Sequence, residues 1–171
     1  MKLDYIDFNN EYVPAGYLLT FRSYGTWLHG DDRGSVDKTH RTYGTPTLPS
    51  NSKRVRFERG LMAQQPVTFD AHQRRAIDVS IKETCTIRKW CLWSLAVRTN
   101  HVHAVVTANR KPEAVLSALK ANATRAMRES GCWKTDQTPW AYRGSKRYLW
   151  TEKELADAVA YVEYGQGLPL P

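Results

Sequence analysis

Two apolar runs, CLWSLAV at 91–97 and HVHAVVT at 101–107, are separated only by Arg98, Thr99 and Asn100. Each is too short for an average helix and is rich in residues that favour strands. A break this tight between two strands closes an antiparallel hairpin. The hairpin constrains everything around it, because its apolar side chains need further strands and a covering layer. Within the second strand, alternate side chains leave on the same face. His101 and His103 therefore stand side by side, with Val102 turned the other way. Two adjacent imidazoles on a rigid strand are able to hold a divalent metal. They serve equally as two polar residues on a solvated sheet face.

The flanking sequence supplies the missing layers. Gly16-Tyr-Leu-Leu-Thr-Phe-Arg22 reads as a first strand. Asp70 and Gln73 form a capping box for a helix over about 71–89, with Ile77, Ile81 and Cys85 at helical spacing. Pro112 opens another helix with an apolar stripe of Val115, Leu119 and Ala123, and Gly131 ends it. Residues 147–150 form a short strand. Thr151 and Glu154 cap a last helix carrying Leu155, Ala158, Val159 and Val162. The order is the βαββαβ split motif of a ferredoxin-like α+β sandwich with an antiparallel sheet and an extra C-terminal helix. In that topology the histidine strand is central, one sheet face packs on two helices, and the other face is left open for a ligand. Residues 31–66 are polar, carry Pro46, Pro49 and Pro66, and show no clear periodicity, so they read as an irregular insertion after the first strand.

A chain of 171 residues that is 42% hydrophobic and 11% aromatic fits one domain, 1–171, with a real core. Its net charge of +8 favours an acidic partner, nucleic acid first. The three cysteines, Cys85, Cys91 and Cys132, lack metal-site spacing and fit reduced thiols. No apolar run reaches membrane-spanning length, and no signal peptide is visible, so the expected location is the cytoplasm.

A basic surface, a histidine pair and a tyrosine-bearing helix point to cleavage of a DNA phosphodiester. A metal polarises the phosphate, and a tyrosine hydroxyl attacks it to leave a covalent intermediate. Such chemistry needs a third ligand and a tyrosine on an adjacent element, and the segment Tyr161-Val-Glu-Tyr-Gly-Gln166 offers both.

Asn100-His-Val-His103 followed by Ala-Val-Val resembles the His-hydrophobic-His motif of HUH single-strand endonucleases. The 161–166 segment is similar to the Tyr-plus-Gln helix of single-tyrosine transposases, including REP-associated tyrosine transposases. Tyr17-Leu-Leu-Thr-Phe with Tyr24-Gly-Thr-Trp-Leu-His-Gly-Asp resembles their first strand and loop. So do Leu119-Lys-Ala-Asn-Ala-Thr-Arg125 and Arg147-Tyr-Leu-Trp150, and the likeness extends over about 16–167.

The resemblance implies an endonuclease and strand transferase acting in DNA transposition, or a domesticated equivalent. His101, His103 and Gln166 would ligate magnesium or manganese, and Tyr161 would form a 5′-phosphotyrosine. The substrate would be single-stranded DNA, often beside a hairpin, cleaved by one chain or by a homodimer that exchanges the tyrosine helix. The family pattern puts Gln four residues after Tyr, whereas Gln166 follows Tyr161 by five. Glu163 is therefore the alternative third ligand, and Tyr164 the alternative nucleophile. Candidate DNA contacts are Trp27, His29 and Arg33 on the glycine-rich loop and Lys120, Arg125 and Arg128 on a helix. A non-catalytic nucleic-acid-binding module and a hydrolase using activated water are the rival functions.

Overall fold

The computed structural model describes residues 13–32 and 49–167. Strand β1 (Gly16–Arg22) is followed by α1 (Ser52–Gly60), α2 (Ala71–Ile87), β2 (Cys91–Val97), β3 (His101–Thr107), α3 (Pro112–Glu129), β4 (Ser145–Leu149) and α4 (Glu152–Tyr164). The sheet order is β2-β3-β1-β4, with every neighbouring pair antiparallel. This is the expected ferredoxin-like α+β arrangement, with β1 and β3 in the middle.

Alternation along the two central strands assigns the faces. Tyr17, Leu19 and Phe21 of β1 and Val102, Ala104 and Val106 of β3 join Ile77 and Ile81 of α2 and Leu119, Ala123 and Met127 of α3 in the main core. Leu18, Thr20 and Arg22 alternate with them, and so point to the second face. The capping boxes at Asp70 with Gln73 and at Thr151 with Glu154 both form as the sequence predicts. Gly131, just past α3, takes a φ of 74°, a left-handed conformation that suits glycine at a helix end.

Two features depart from the sequence reading. The stretch read as irregular contains α1, which buries no side chain and so prints no apolar period. Helix α1 is instead held by polar contacts: Asn51 caps Arg54, and Glu58 Oε2 accepts from the His29 backbone N–H at 2.9 Å. The second sheet face is also not left open. Helix α4 lies over it, with Ala158 and Val162 packed on Val105 and Leu149, and with Leu155 and Val159 alongside. An amphipathic helix without another partner covers the nearest apolar surface.

Candidate active site

His101 and His103 lie on this second face, where α4 ends. The register pairs His103 with Thr20 and His101 with Arg22 across the β1–β3 ladder. Facing residues of an antiparallel ladder bring their side chains together. The Thr20 hydroxyl and His103 Nδ1 share a hydrogen bond of 2.7 Å. His101 Nδ1 donates to Asn100 Oδ1 at 2.7 Å. An amide oxygen only accepts, so this bond holds the proton on Nδ1 and leaves a lone pair on His101 Nε2. The rings of His101 and His103 meet edge to face, 4.8 Å between centroids.

Helix α4 brings the other two groups. The Tyr161 ring lies 5.6 Å from the His103 ring, nearly perpendicular to it. Tyr161 is 48% exposed, whereas Tyr164 is 81% exposed one turn further along. The helix ends at Gly165, whose N–H donates to the Tyr161 carbonyl. The chain then turns back, and Gln166 Oε1 arrives 3.4 Å from His101 Nε2. Gln166 Nε2 meanwhile donates to the Tyr161 carbonyl at 3.4 Å. Glu163 remains exposed next to the buried Val162. The five-residue spacing thus delivers Gln166 through a helix end rather than along one helical face. A Cβ on Gly165 would stand 2.6 Å from the Tyr161 carbonyl oxygen, so a bare glycine is what permits this turn.

The donors able to hold a cation are His101 Nε2, the His103 imidazole and Gln166 Oε1. Nε2 and Oε1 are two acceptors facing one another, an arrangement that a cation between them relieves. On bonds of roughly 2.1 Å at right angles, two donors to one ion lie about 3 Å apart, close to the separation found. Among the described residues there is no cluster of three or more His, Cys, Asp or Glu suited to a metal, and the third oxygen or nitrogen acceptor beside the two imidazoles is the Gln166 amide oxygen.

His103 is only 7% exposed. Burial, then the neighbouring His101, then Arg22, push its pKa from the ordinary 6.5 down to about 4, with the Gln166 hydrogen bond opposing them. A neutral imidazole is the form that ligates metals. The shift also has a consequence for stability. Between pH 6.5 and about 4 the unfolded chain binds more protons at His103 than the folded chain. Stability therefore falls as pH drops through this window, by at most about 3 kcal/mol. Urea unfolding across the window is expected to show the slope, and His103→Gln to flatten it.

The other candidate contacts separate into groups. Trp27 is close to the site, because the Arg22 guanidinium lies 3.2 Å over its ring. His29 is tied to α1 through its backbone, and its Nδ1 is buried with no hydrogen-bond partner among the described residues. Arg33 lies outside the described residues. Lys120, Arg125 and Arg128 sit on α3, across the sheet from the histidines. Lys120 Nζ donates to the carbonyls of Ala141 and Arg143, and burial lowers its pKa to about 8. Arg128 donates to the carbonyls of Thr135 and Asp136, and Arg125 faces Glu129 at 3.7 Å. Lys120 and Arg128 thus brace loops.

Thr20, Arg22 and Asn100 belong to the site and were missed as functional residues. The signal was present in β1, where Thr20 and Arg22 interrupt an otherwise apolar strand in phase with Leu18.

No family model and no curated protein matches the chain. Among solved structures, it is similar to a REP-associated tyrosine transposase bound to a REP hairpin. That likeness has a TM-score of 0.51 and 11% identity, and covers 94% of this chain and 72% of the other. At this identity the similarity is one of fold. Among the described residues, no helix is long and apolar enough to cross a membrane.

Proposed function

We propose that the chain is a metal-dependent endonuclease and strand transferase for single-stranded DNA, of the HUH transposase type. Support comes from one arrangement: the Tyr161 ring against His103, with His101 Nε2 and Gln166 Oε1 meeting beside it. Further support is the fold shared with a transposase solved on a DNA hairpin, and the net charge of +8.

His101, His103 and Gln166 would hold magnesium or manganese, which would supply Lewis-acid stabilisation of the phosphate charge. Asn100 and Thr20 orient the two imidazoles, as outer partners of metal-bound histidines do. Tyr161 loses its proton and its phenolic oxygen attacks the scissile phosphorus. The bond to the 3′ oxygen breaks, that oxygen takes up a proton as a 3′-hydroxyl, and the 5′ phosphate stays on the tyrosine. The phosphodiester energy is retained in this ester, so rejoining needs no nucleotide cofactor. The Arg22 guanidinium beside His101 binds the neighbouring phosphate. Tyr161 meets a histidine of its own chain, so one copy supplies every group of the proposed site.

Incubation with single-stranded hairpin DNA and manganese, followed by a denaturing gel, tests the proposal. A covalent protein–DNA band is expected. Cleavage with no such band means that water is the nucleophile, and binding without cleavage means a non-catalytic module. The turn at Gly165 gives a second test. Gly165→Ala pushes the Tyr161 carbonyl and the Gln166 turn apart, and manganese affinity by calorimetry is expected to fall roughly tenfold.

A further inference from the structure

Among the described residues, strand β4 is a sheet edge paired only with β1. Along it, Lys146 and Tyr148 leave on one face, and Trp150 follows two residues on. The Tyr148 and Trp150 rings are stacked, 5.5 Å between centroids and 11° from parallel. Tyr148 is braced from beneath by Tyr17, edge to face at 5.3 Å. Trp150 remains 51% exposed, so the outer face of the stack is open to a further planar group.

The row continues past Lys146 into a cavity of about 580 Å³ between α3 and the loop before β4, lined by Tyr24, Lys120, Trp140, Tyr142, Arg143 and Lys146 among others. Tyr142 at its rim is 89% exposed, and the Arg143 guanidinium lies 5.3 Å over that ring. Arg143 holds a φ of 67°, a strained conformation for a residue with a side chain. Lys120, reaching the Ala141 and Arg143 carbonyls, pins it there. Among the described residues the one carboxylate in the lining, Glu113, is matched by Lys146 at 2.9 Å. The rim therefore stays positive.

We infer that this edge is a track for unpaired nucleotides, running from the Tyr142–Arg143 rim to the Tyr148–Trp150 stack, an inference that rests on the single-strand DNA reading above. Aromatic faces take bases without regard to sequence, and interleaved cations follow the backbone; this combination is what binds single strands. At about 3.3 Å per strand residue, the path from Arg143 to Trp150 is on the order of 20 Å, a few nucleotides long. It starts one strand away from the histidine strand, on the opposite face of the sheet. The Ala141 N–H donates to the Arg22 carbonyl at 2.9 Å, and β1 alone separates this loop from β3. A strand cleaved on the second face thus passes over one edge, about two strand spacings or roughly 10 Å away, to reach the track.

The test uses the full chain, a fluorescein-labelled oligothymidylate, a blunt duplex as control, and a chelator so that no metal contributes. Trp150→Ala and Tyr142→Ala are each expected to weaken oligothymidylate binding by roughly tenfold in fluorescence anisotropy. Trp150→Phe is expected to retain wild-type affinity, and the duplex to bind all four proteins alike. Thermal melts identify any alanine variant that has unfolded, in which case the other position decides. Unchanged oligothymidylate binding in the folded alanine variants, an equal loss for duplex, or no binding by the wild type overturns the track. An edge that docks a protein strand instead gives the first of these results. Adduct formation by the wild type reads the tyrosine chemistry separately, so either idea can fail while the other stands.

Discussion

Tyr161→Phe is expected to abolish the covalent protein–DNA band and to lower strand cleavage by a factor of at least roughly 10³. The change removes a single oxygen atom. Its ring contact with His103, 5.6 Å between centroids, depends on the carbon frame and survives. The fold should be indifferent, since Tyr161 is half-exposed and the packing of α4 rests on Ala158 and Val162. Manganese affinity should also hold, because the phenol is not among the proposed donors. Loss of the adduct with retained metal binding and an unchanged melting temperature is the expected combination. Tyr164→Phe is the paired control and is expected to cleave normally, since Tyr164 projects into solvent at 81% exposure.

The second large effect concerns the histidines. His103→Ala and His101→Ala are each expected to reduce manganese-dependent cleavage by roughly 10² to 10³, with loss of calorimetric manganese binding. A chelator should do the same to the wild type. The partners behind the imidazoles are expected to matter less. Thr20→Val removes the hydroxyl that orients His103, and a loss of about tenfold is expected. A His103→Ala protein that cleaves at the wild-type rate in chelator would remove the metal from the mechanism.

The hairpin and the two central strands were legible from their length and composition. They are short apolar runs rich in strand-favouring residues and bounded by turn residues, a signal that holds even though β3 is buried on both faces. Helices α2, α3 and α4 were legible from their caps and stripes. Helix α1 was not, because a helix that buries nothing leaves no stripe to read. The position of α4 was also not legible. Its stripe of Leu155, Ala158, Val159 and Val162 shows that it must cover something, but the covered surface is a tertiary outcome. The same limit applied at Gln166. Counting residues along an ideal helix puts it off the face of Tyr161, and only the helix end at Gly165 returns it to His101. Lys120 and Arg128 looked like phosphate contacts because their acceptors are main-chain carbonyls of a later loop, which no side-chain pattern announces. Thr20 and Arg22 are a different case. They were readable from β1 alone, once its polar positions were placed in register with the histidines.

The most direct test of the proposed chemistry is to digest the covalent adduct formed on single-stranded hairpin DNA and identify the modified residue by mass spectrometry. A 5′-phosphate esterified to Tyr161 is the predicted result. Modification at Tyr164, or a cleaved strand carrying no protein at all, would contradict it.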